Sequence, residues 1–235
     1  WAVPHGRQVH FEIPSEAAVE SAVRRTVDSW GTAPTRLVQV LRETQEELGF
    51  LPPTALQRIA DALGVSIATA RGVAAFYSFL YTEPQGLYRL LFSDNVTDRM
   101  RGAEDRLREM SERLWVEPGK TSEDGLVSLG RTSSIGLCDH APALLVNGLP
   151  VPDIDARRAS DLCDLILTRV PVVEWPRELF VVEDFVRRRD VLLSDPLRPG
   201  DAIRAAIERG EASGTGPQAT LNEIKLARLL GRGGA

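Results

Sequence analysis

Residues 86–148 read GLYRLLFSDNVTDRMRGAEDRLREMSERLWVEPGKTSEDGLVSLGRTSSIGLCDHAPALLVNG. Leu87–Phe92 follows a Pro-Gln-Gly turn and has the apolar density of a strand. Residues 101–115 switch to a helical period, with Ala103, Leu107, Met110 and Leu114 on one face. Leu126–Leu129 and Ala143–Val146 are short strand candidates, and the second ends at an Asn147-Gly148 hairpin signal. Just beyond, residues 158–168 (RASDLCDLILT) return to an amphipathic helix. Strand, helix, strands and helix in this order predict a small α/β layer.

Upstream of that layer the chain is helical. Residues 15–30 open on a Ser15 cap and carry Ala18, Val19, Ala22, Val23 and Val27 at helical spacing. A second helix is expected from about Thr35 to Leu48, ended by Gly49. A third starts at Pro52-Pro53 and stops at Gly64, and Ser66 caps a fourth that reaches Phe79. Downstream, Pro171, Pro176, Pro196 and Pro199 break the pattern between Arg169 and Gly200, which places a domain boundary at 169. The run Arg187-Arg188-Arg189 lies there, but Glu183, Asp184 and Asp190 flank it, so it reads as a solvated linker face. Two further helices are expected at about 201–209 and 218–230.

The 235 residues include 28 basic and 33 acidic side chains, a net charge of −5, and are 43% hydrophobic. That balance suits a globular chain with a real core and argues against a general nucleic-acid binder. No run approaches the roughly 18 apolar residues of a membrane helix. The opening WAVPHGRQVHFEIP has no apolar core of a signal peptide. Two cysteines, Cys138 and Cys163, make no disulfide framework. A cytoplasmic chain with no nucleic-acid or membrane partner is the expectation.

Three stretches could carry chemistry. Leu56–Phe79 has the outline of a helix-turn-helix, but between Ser66 and Ser78 only Arg71 is charged, whereas a DNA reader needs polar and basic side chains there. Cys138, Asp139 and His140 could begin a metal site, but paired cysteines or histidines are absent. Cys163 sits mid-helix as a small apolar residue, and His5 and His10 suggest nothing specific. The ending Gly231-Arg232-Gly233-Gly234-Ala235 could approach a phosphate through its backbone, although glycine also caps the preceding helix.

Taken together, the helices ending in GVAAFYSF, the strand GLYRLLF, the phrase PGKTSEDGLVSL and the segment SIGLCDHAPALLVNG resemble the thioredoxin-like 2Fe–2S subunit of respiratory complex I and its relatives over residues 35–168. VEDFVRRRDVLLSDP and TLNEIKLARLLGRGGA resemble the start of the flavin-binding, NADH-oxidising subunit. The two fused in one chain resemble the large diaphorase subunits of cytoplasmic NAD-reducing [NiFe]-hydrogenases. The resemblance implies an N-terminal helical bundle (1–82), a thioredoxin-like α/β domain (83–168), then a linker leading to a flavoprotein domain (169–235). Gly231, Arg232, Gly233 and Gly234 would join an FMN or NADH site in the full-length chain. The implied activity is electron transfer between NAD(H), FMN and iron–sulfur centres for reversible hydrogen oxidation, beside other diaphorase and hydrogenase subunits.

Relatives that hold a cluster carry C-x4-C after the first strand and C-x3-C before the last. Here the matching positions are Ser93, Asp98, Ser134 and Cys138. Each iron of a 2Fe–2S cluster needs two ligands, normally thiolates, and one thiol remains. The expectation is a retained fold without cluster, catalytic residue or cofactor in this part, with FMN, NAD and 4Fe–4S in the rest of the parent. Loops 93–100 and 132–142 would then be held by hydrogen bonds from Asp94, Asn95, Thr97, Asp98, Ser133 and Ser134. Two alternatives remain: the equivalent subunit of an NAD-dependent formate dehydrogenase or complex-I-like dehydrogenase, and a cluster-free protein-interaction module.

Overall fold

Ser15 opens the first helix by accepting a hydrogen bond from the Ala18 N–H at 3.2 Å, and α1 runs Glu16–Trp30. A short 3-10 turn at Pro34–Arg36 leads into α2 (Leu37–Leu48), and Gly49 ends it in the left-handed region at φ 83°. Pro53 starts α3 (Pro53–Leu63), where a missing N–H costs nothing. Ser66 caps α4 (Ile67–Phe76) through the Thr69 N–H. The computed structural model describes residues 13–187, 194 and 198–229. Val40, Leu41, Leu51, Ala55, Ile59 and Ala60 are fully buried between these four helices.

The fourth helix stops at Phe76, short of Phe79. Tyr77 is extended (φ −90°, ψ 116°) because tertiary hydrogen bonds claim the next residues. The buried Gln45 amide donates to Phe79 O at 2.8 Å, and its carbonyl accepts from the Tyr81 N–H, pinning the exit strand to α2. Ser78 and Thr132 hydroxyls meet across the junction. No helical period encodes such a clamp.

The layer that follows holds β1 (Tyr88–Ser93), α5 (Val96–Met100), α6 (Ala103–Leu114), β2 (Lys120–Thr121), β3 (Val127–Thr132), β4 (Leu144–Val146), β5 (Leu149–Val151) and α7 (Ala156–Leu167). The sheet order is β2-β3-β1-β4-β5, with β1 parallel to β3 and antiparallel to β4. Tyr88, Leu90 and Phe92 alternate onto the face that receives Leu107, Met110 and Leu114 of α6 and Leu162, Cys163 and Ile166 of α7. Gly86 lies against β3, where a Cβ would stand 2.6 Å from the Val127 carbonyl carbon, so only glycine admits the approach.

The layer does not end at Thr168, where the linker was expected. Val170, Val172 and Phe180 pack on its core, Trp175 and Leu179 are buried, and Trp175 stacks on Tyr88 at 5.9 Å. Both Tyr88 OH and Trp175 Nε1 donate to Val170 O, at 2.7 and 2.8 Å. The prolines of this stretch shape a strap over the sheet edge, and the division into two units falls between Val182 and Glu183. The second unit contributes α8 (Asp201–Ser213) and α9 (Gln218–Leu226). Among the described residues no single helix is long and apolar enough to cross a membrane. The pair α3 and α4 is bent by 119°, with its apolar faces in the bundle core.

Candidate functional site: the loops around Asn95

Ser93 is the last residue of β1, where its N–H donates to Ala143 O at 3.0 Å on β1's antiparallel neighbour side. Asn95 then caps α5: its side-chain oxygen accepts from the N–H groups of Thr97 (2.8 Å) and Asp98 (3.1 Å). This turn of helix, not expected from the sequence, carries Asp98 back beneath Ser93. Both are buried, at 2% and 1% exposure. Ser93 Oγ donates to Asp98 Oδ2 at 2.6 Å, Asn95 Nδ2 donates to the same oxygen, and the Ala143 N–H donates to Asp98 Oδ1 at 3.3 Å. The Asp98 carboxylate thus ties the end of β1, the start of α5 and the entry to β4 into one knot.

Ser134 and Cys138 approach from the loop after β3, and both are exposed. Their side chains lie 3.4 Å apart, and Asn95 Nδ2 reaches Cys138 Sγ at 3.5 Å. The fold therefore brings all four sequence-matched positions, Ser93, Asp98, Ser134 and Cys138, around Asn95. Of the residues expected to hold the loops, Asn95, Asp98 and Ser134 bond to backbone, Asp94 pairs instead with Arg99, and the central bonds run between side chains.

The donor set does not fit a 2Fe–2S cluster. One thiol stands beside two serine hydroxyls and a carboxylate that is already engaged by three donors, whereas the cluster takes four soft ligands. Among the described residues no group of three or more His, Cys, Asp or Glu side chains is placed to hold a metal ion.

The triplet Cys138, Asp139 and His140 is not a convergent set either. His140 is buried at 2% exposure and its Nδ1 faces Asp153 Oδ2 at 3.0 Å, while Cys138 and Asp139 lie at the surface. The same pairing continues in the backbone, where Asp153 N–H donates to His140 O (2.9 Å) and Ile154 N–H to Pro142 O (2.7 Å). The loop bearing Cys138 is thereby fastened to the approach of α7. Nothing in the sequence spacing links positions 140 and 153; the contact exists because the hairpin β4–β5 folds back between them.

Two ion pairs brace the rim. Arg99 holds Asp94 through two nitrogens at 2.6 and 3.0 Å, and Arg131 holds both oxygens of Glu104. Hydrogen bonding by these guanidinium groups keeps both carboxyls below the ordinary carboxylate range. Cys163, by contrast, is buried among α6 and α7, and burial pushes its thiol up to about 12. In the helix-turn-helix outline, Ala70 and Ala74 of α4 pack into the bundle. His5, His10, Arg188, Arg189, Gly231, Arg232, Gly233 and Gly234 lie outside the described residues.

Residues 23–166 match the family described as Thioredoxin-like [2Fe-2S] ferredoxin, and the chain belongs to that family. It is 28% identical to the E subunit of the NADH-quinone oxidoreductase of Escherichia coli over 58% of this chain and 81% of that protein. It is 24% identical to the NAD-reducing hydrogenase HoxS subunit alpha of Cupriavidus necator over 92% of this chain and 37% of that one. Among solved structures, an NAD+-reducing [NiFe]-hydrogenase in the air-oxidized state matches with a TM-score of 0.66 and 31% identity, over 87% of this chain and 34% of that chain. The chain thus spans about a third of the length of the hydrogenase chains it matches.

Proposed function

We propose that this chain is the N-terminal scaffold portion of an NAD(H)-linked diaphorase subunit serving reversible hydrogen oxidation. The observation that carries the reading is the extent of the likeness to the hydrogenase alpha subunit. It runs over 92% of the chain, including the second unit, whereas the match to the E subunit of the quinone oxidoreductase covers 58%. On this reading FMN, NAD and 4Fe–4S centres belong to the rest of the parent, the partners are other diaphorase and hydrogenase subunits, and the setting is the cytoplasm. Gly231, Arg232, Gly233 and Gly234 would enter an FMN or NADH site only in that longer chain.

Within this part the thioredoxin-like layer acts as a spacer and docking body. Its former ligand positions are filled by the Ser93–Asp98–Asn95 knot, so no electron is routed through them. The test is disruption of the gene in its host. Extracts should lose hydrogen-dependent NAD+ reduction, together with NADH oxidation by an artificial dye, and regain both on complementation. Loss of formate-dependent NAD+ reduction instead would assign the chain to a formate dehydrogenase, and no loss of either would overturn the reading.

A further inference from the structure

A cavity of about 480 Å³ opens on the sheet face turned away from α6 and α7. Strand alternation puts Arg89 and Leu91 of β1 and Ser128 and Gly130 of β3 on that face. The segment leaving the helical bundle walls the cavity with Tyr81 and Glu83. Gly130 keeps the floor open: it pairs with Leu91 across the strands, and a Cβ there would stand 3.0 Å from Leu91 Cδ2.

Arg89 brings the charge. Its guanidinium lies over the Tyr81 ring, 5.6 Å from the centroid, and among the described residues no acceptor or carboxylate holds its N–H groups. Arg89 and Tyr81 are both half-buried and both anchored. Asn147 Oδ1 accepts from the Arg89 N–H at 2.8 Å, the Asn147 N–H donates to Arg89 O at 2.9 Å, and Gln45 accepts from the Tyr81 N–H. Burial pushes the Tyr81 phenol up, against a smaller opposite pull from Arg89, so the ring beneath the cation stays neutral. The remaining polar groups of the floor and rim are engaged. Thr121 and Ser128 hydroxyls meet at 2.7 Å, Ser128 also accepts from the Gly86 N–H, and Lys120 pairs with Glu117 at 2.6 Å.

An oriented cation without an acceptor thus stands beside an aliphatic floor. A guanidinium offers its donors as a fork that matches the two oxygens of a carboxylate. Leu91 and Gly130 give a hydrocarbon body space and no hydrogen-bond partner. Glu83, exposed on the same cavity, disfavours a second negative charge. We propose that this cavity binds a small organic monocarboxylate, its oxygens on the Arg89 guanidinium and its carbon chain over Leu91 and Gly130. The site is independent of the diaphorase reading. A ligand seated there joins the exit of the bundle to β1 and β3.

The test is titration of the purified gene product with hexanoate, followed by the amide NMR signals of Tyr81, Arg89 and Gly130. The signals should move saturably with a midpoint of about 1 mM, as a ligand of this size allows. Hexanol and hexylamine should leave them in place, and acetate should bind at least about ten-fold more weakly for want of the chain. Arg89→Gln should weaken hexanoate at least about ten-fold. Gly130→Val should do the same by filling the floor, with no charge altered, while Arg71→Gln on the exposed side of α4 should change nothing. Glu83→Gln should admit glutarate, which the parent refuses. Undiminished hexanoate binding by Arg89→Gln, equal binding of hexanol, or no saturable shift overturns the proposal. Inorganic phosphate bound as tightly as hexanoate makes this a site for bare oxyanions and overturns the carboxylate assignment. A partner subunit that co-purifies with the parent but not with Arg89→Gln, with no hexanoate shift in either, gives the guanidinium to that partner and overturns it too.

Discussion

Replacing Asp98 by Ala should loosen both loops at once, and the cost can be worked from the geometry. The carboxylate accepts from Ser93 Oγ at 2.6 Å, from Asn95 Nδ2, and from the Ala143 N–H at 3.3 Å. Asn95 stands near the surface and can turn to water. Ser93 (2% exposed) and Ala143 (0%) cannot, so two buried donors lose their acceptor. Each unsatisfied buried donor costs about 1–3 kcal/mol, and the relief of no longer burying a carboxylate offsets part of that. The net expectation is about 2–4 kcal/mol of lost stability. Urea unfolding is the assay: with a slope of about 2 kcal/mol/M, the midpoint should fall by about 1–2 M at unchanged slope. Asp98→Asn keeps the shape and an acceptor oxygen, and should lose about 1 kcal/mol. In Ser93→Ala/Asp98→Ala the two losses should be less than additive, because one orphaned donor disappears with the serine. If Asp98→Ala moves the midpoint by less than the equivalent of about 0.5 kcal/mol, the knot does not hold the loops and the reasoning fails.

Three further outcomes are expected. The triple substitution Ser93→Cys, Asp98→Cys, Ser134→Cys, joining native Cys138, should accept a 2Fe–2S cluster on anaerobic reconstitution; a folded triple variant that takes up no iron would show that the loops have departed from ligand geometry. A thiol reagent should modify exposed Cys138 in the native protein and reach Cys163, whose thiol burial pushes up to about 12, only in denaturant; one-step labelling of both under native conditions would contradict the packing of α7. Arg131→Met should lower stability by about 0.5 kcal/mol at neutral pH, since Glu104 is more than half exposed. Because Arg131 lowers the folded-state value of Glu104, that contribution is present above the unfolded carboxylate range and disappears as pH falls through the folded value. The gap between parent and variant should therefore close in acid, and a gap that widens would refute the pairing.

The elements that sequence revealed are those whose period is long enough to average over tertiary context. Ala103, Leu107, Met110 and Leu114 define α6 to within a residue or two, and Ser15, Pro53 and Ser66 mark helix starts that the structure keeps. Two-residue β2 has no period to detect and exists because Lys120 and Thr121 pair with Leu129 and Ser128. The turn at Asn147-Gly148 was legible, yet its outgoing strand β5 was hidden by Pro150, which is tolerated on the sheet's edge. The five-residue α5 was read as loop because its cap, Asn95, looks like any turn residue until Thr97 and Asp98 donate to it. The strap 169–182 misled for a related reason: its prolines advertise irregular backbone, and irregular backbone can still bury Trp175 and Leu179.

The site made by the four positions matched to cluster ligands is uneven, and this shapes what cysteines placed there would require. Its inner half, Ser93 and Asp98, is a buried polar knot that closes β1 against α5 and β4. Its outer half, Ser134 and Cys138, is exposed and joined by a single contact at 3.4 Å. Cysteine at 134 removes little: one surface hydroxyl and its bond from Gly136. Cysteine at 98 removes the acceptor on which Ser93 and Ala143 depend, and a thiol, a weak acceptor, cannot replace a carboxylate there. Before metal arrives, the triple variant should therefore be less stable than the parent, though by less than the full Asp98→Ala increment because the Ser93 hydroxyl goes with its acceptor, with Ser134→Cys alone close to neutral. Iron–thiolate bonds would then have to supply the loop closure that the knot now provides. Uptake of iron should accordingly raise the variant's unfolding midpoint more than it changes its secondary structure, and a reconstituted variant no more stable than its apo form would show that the cluster had not re-entered the place the knot vacated.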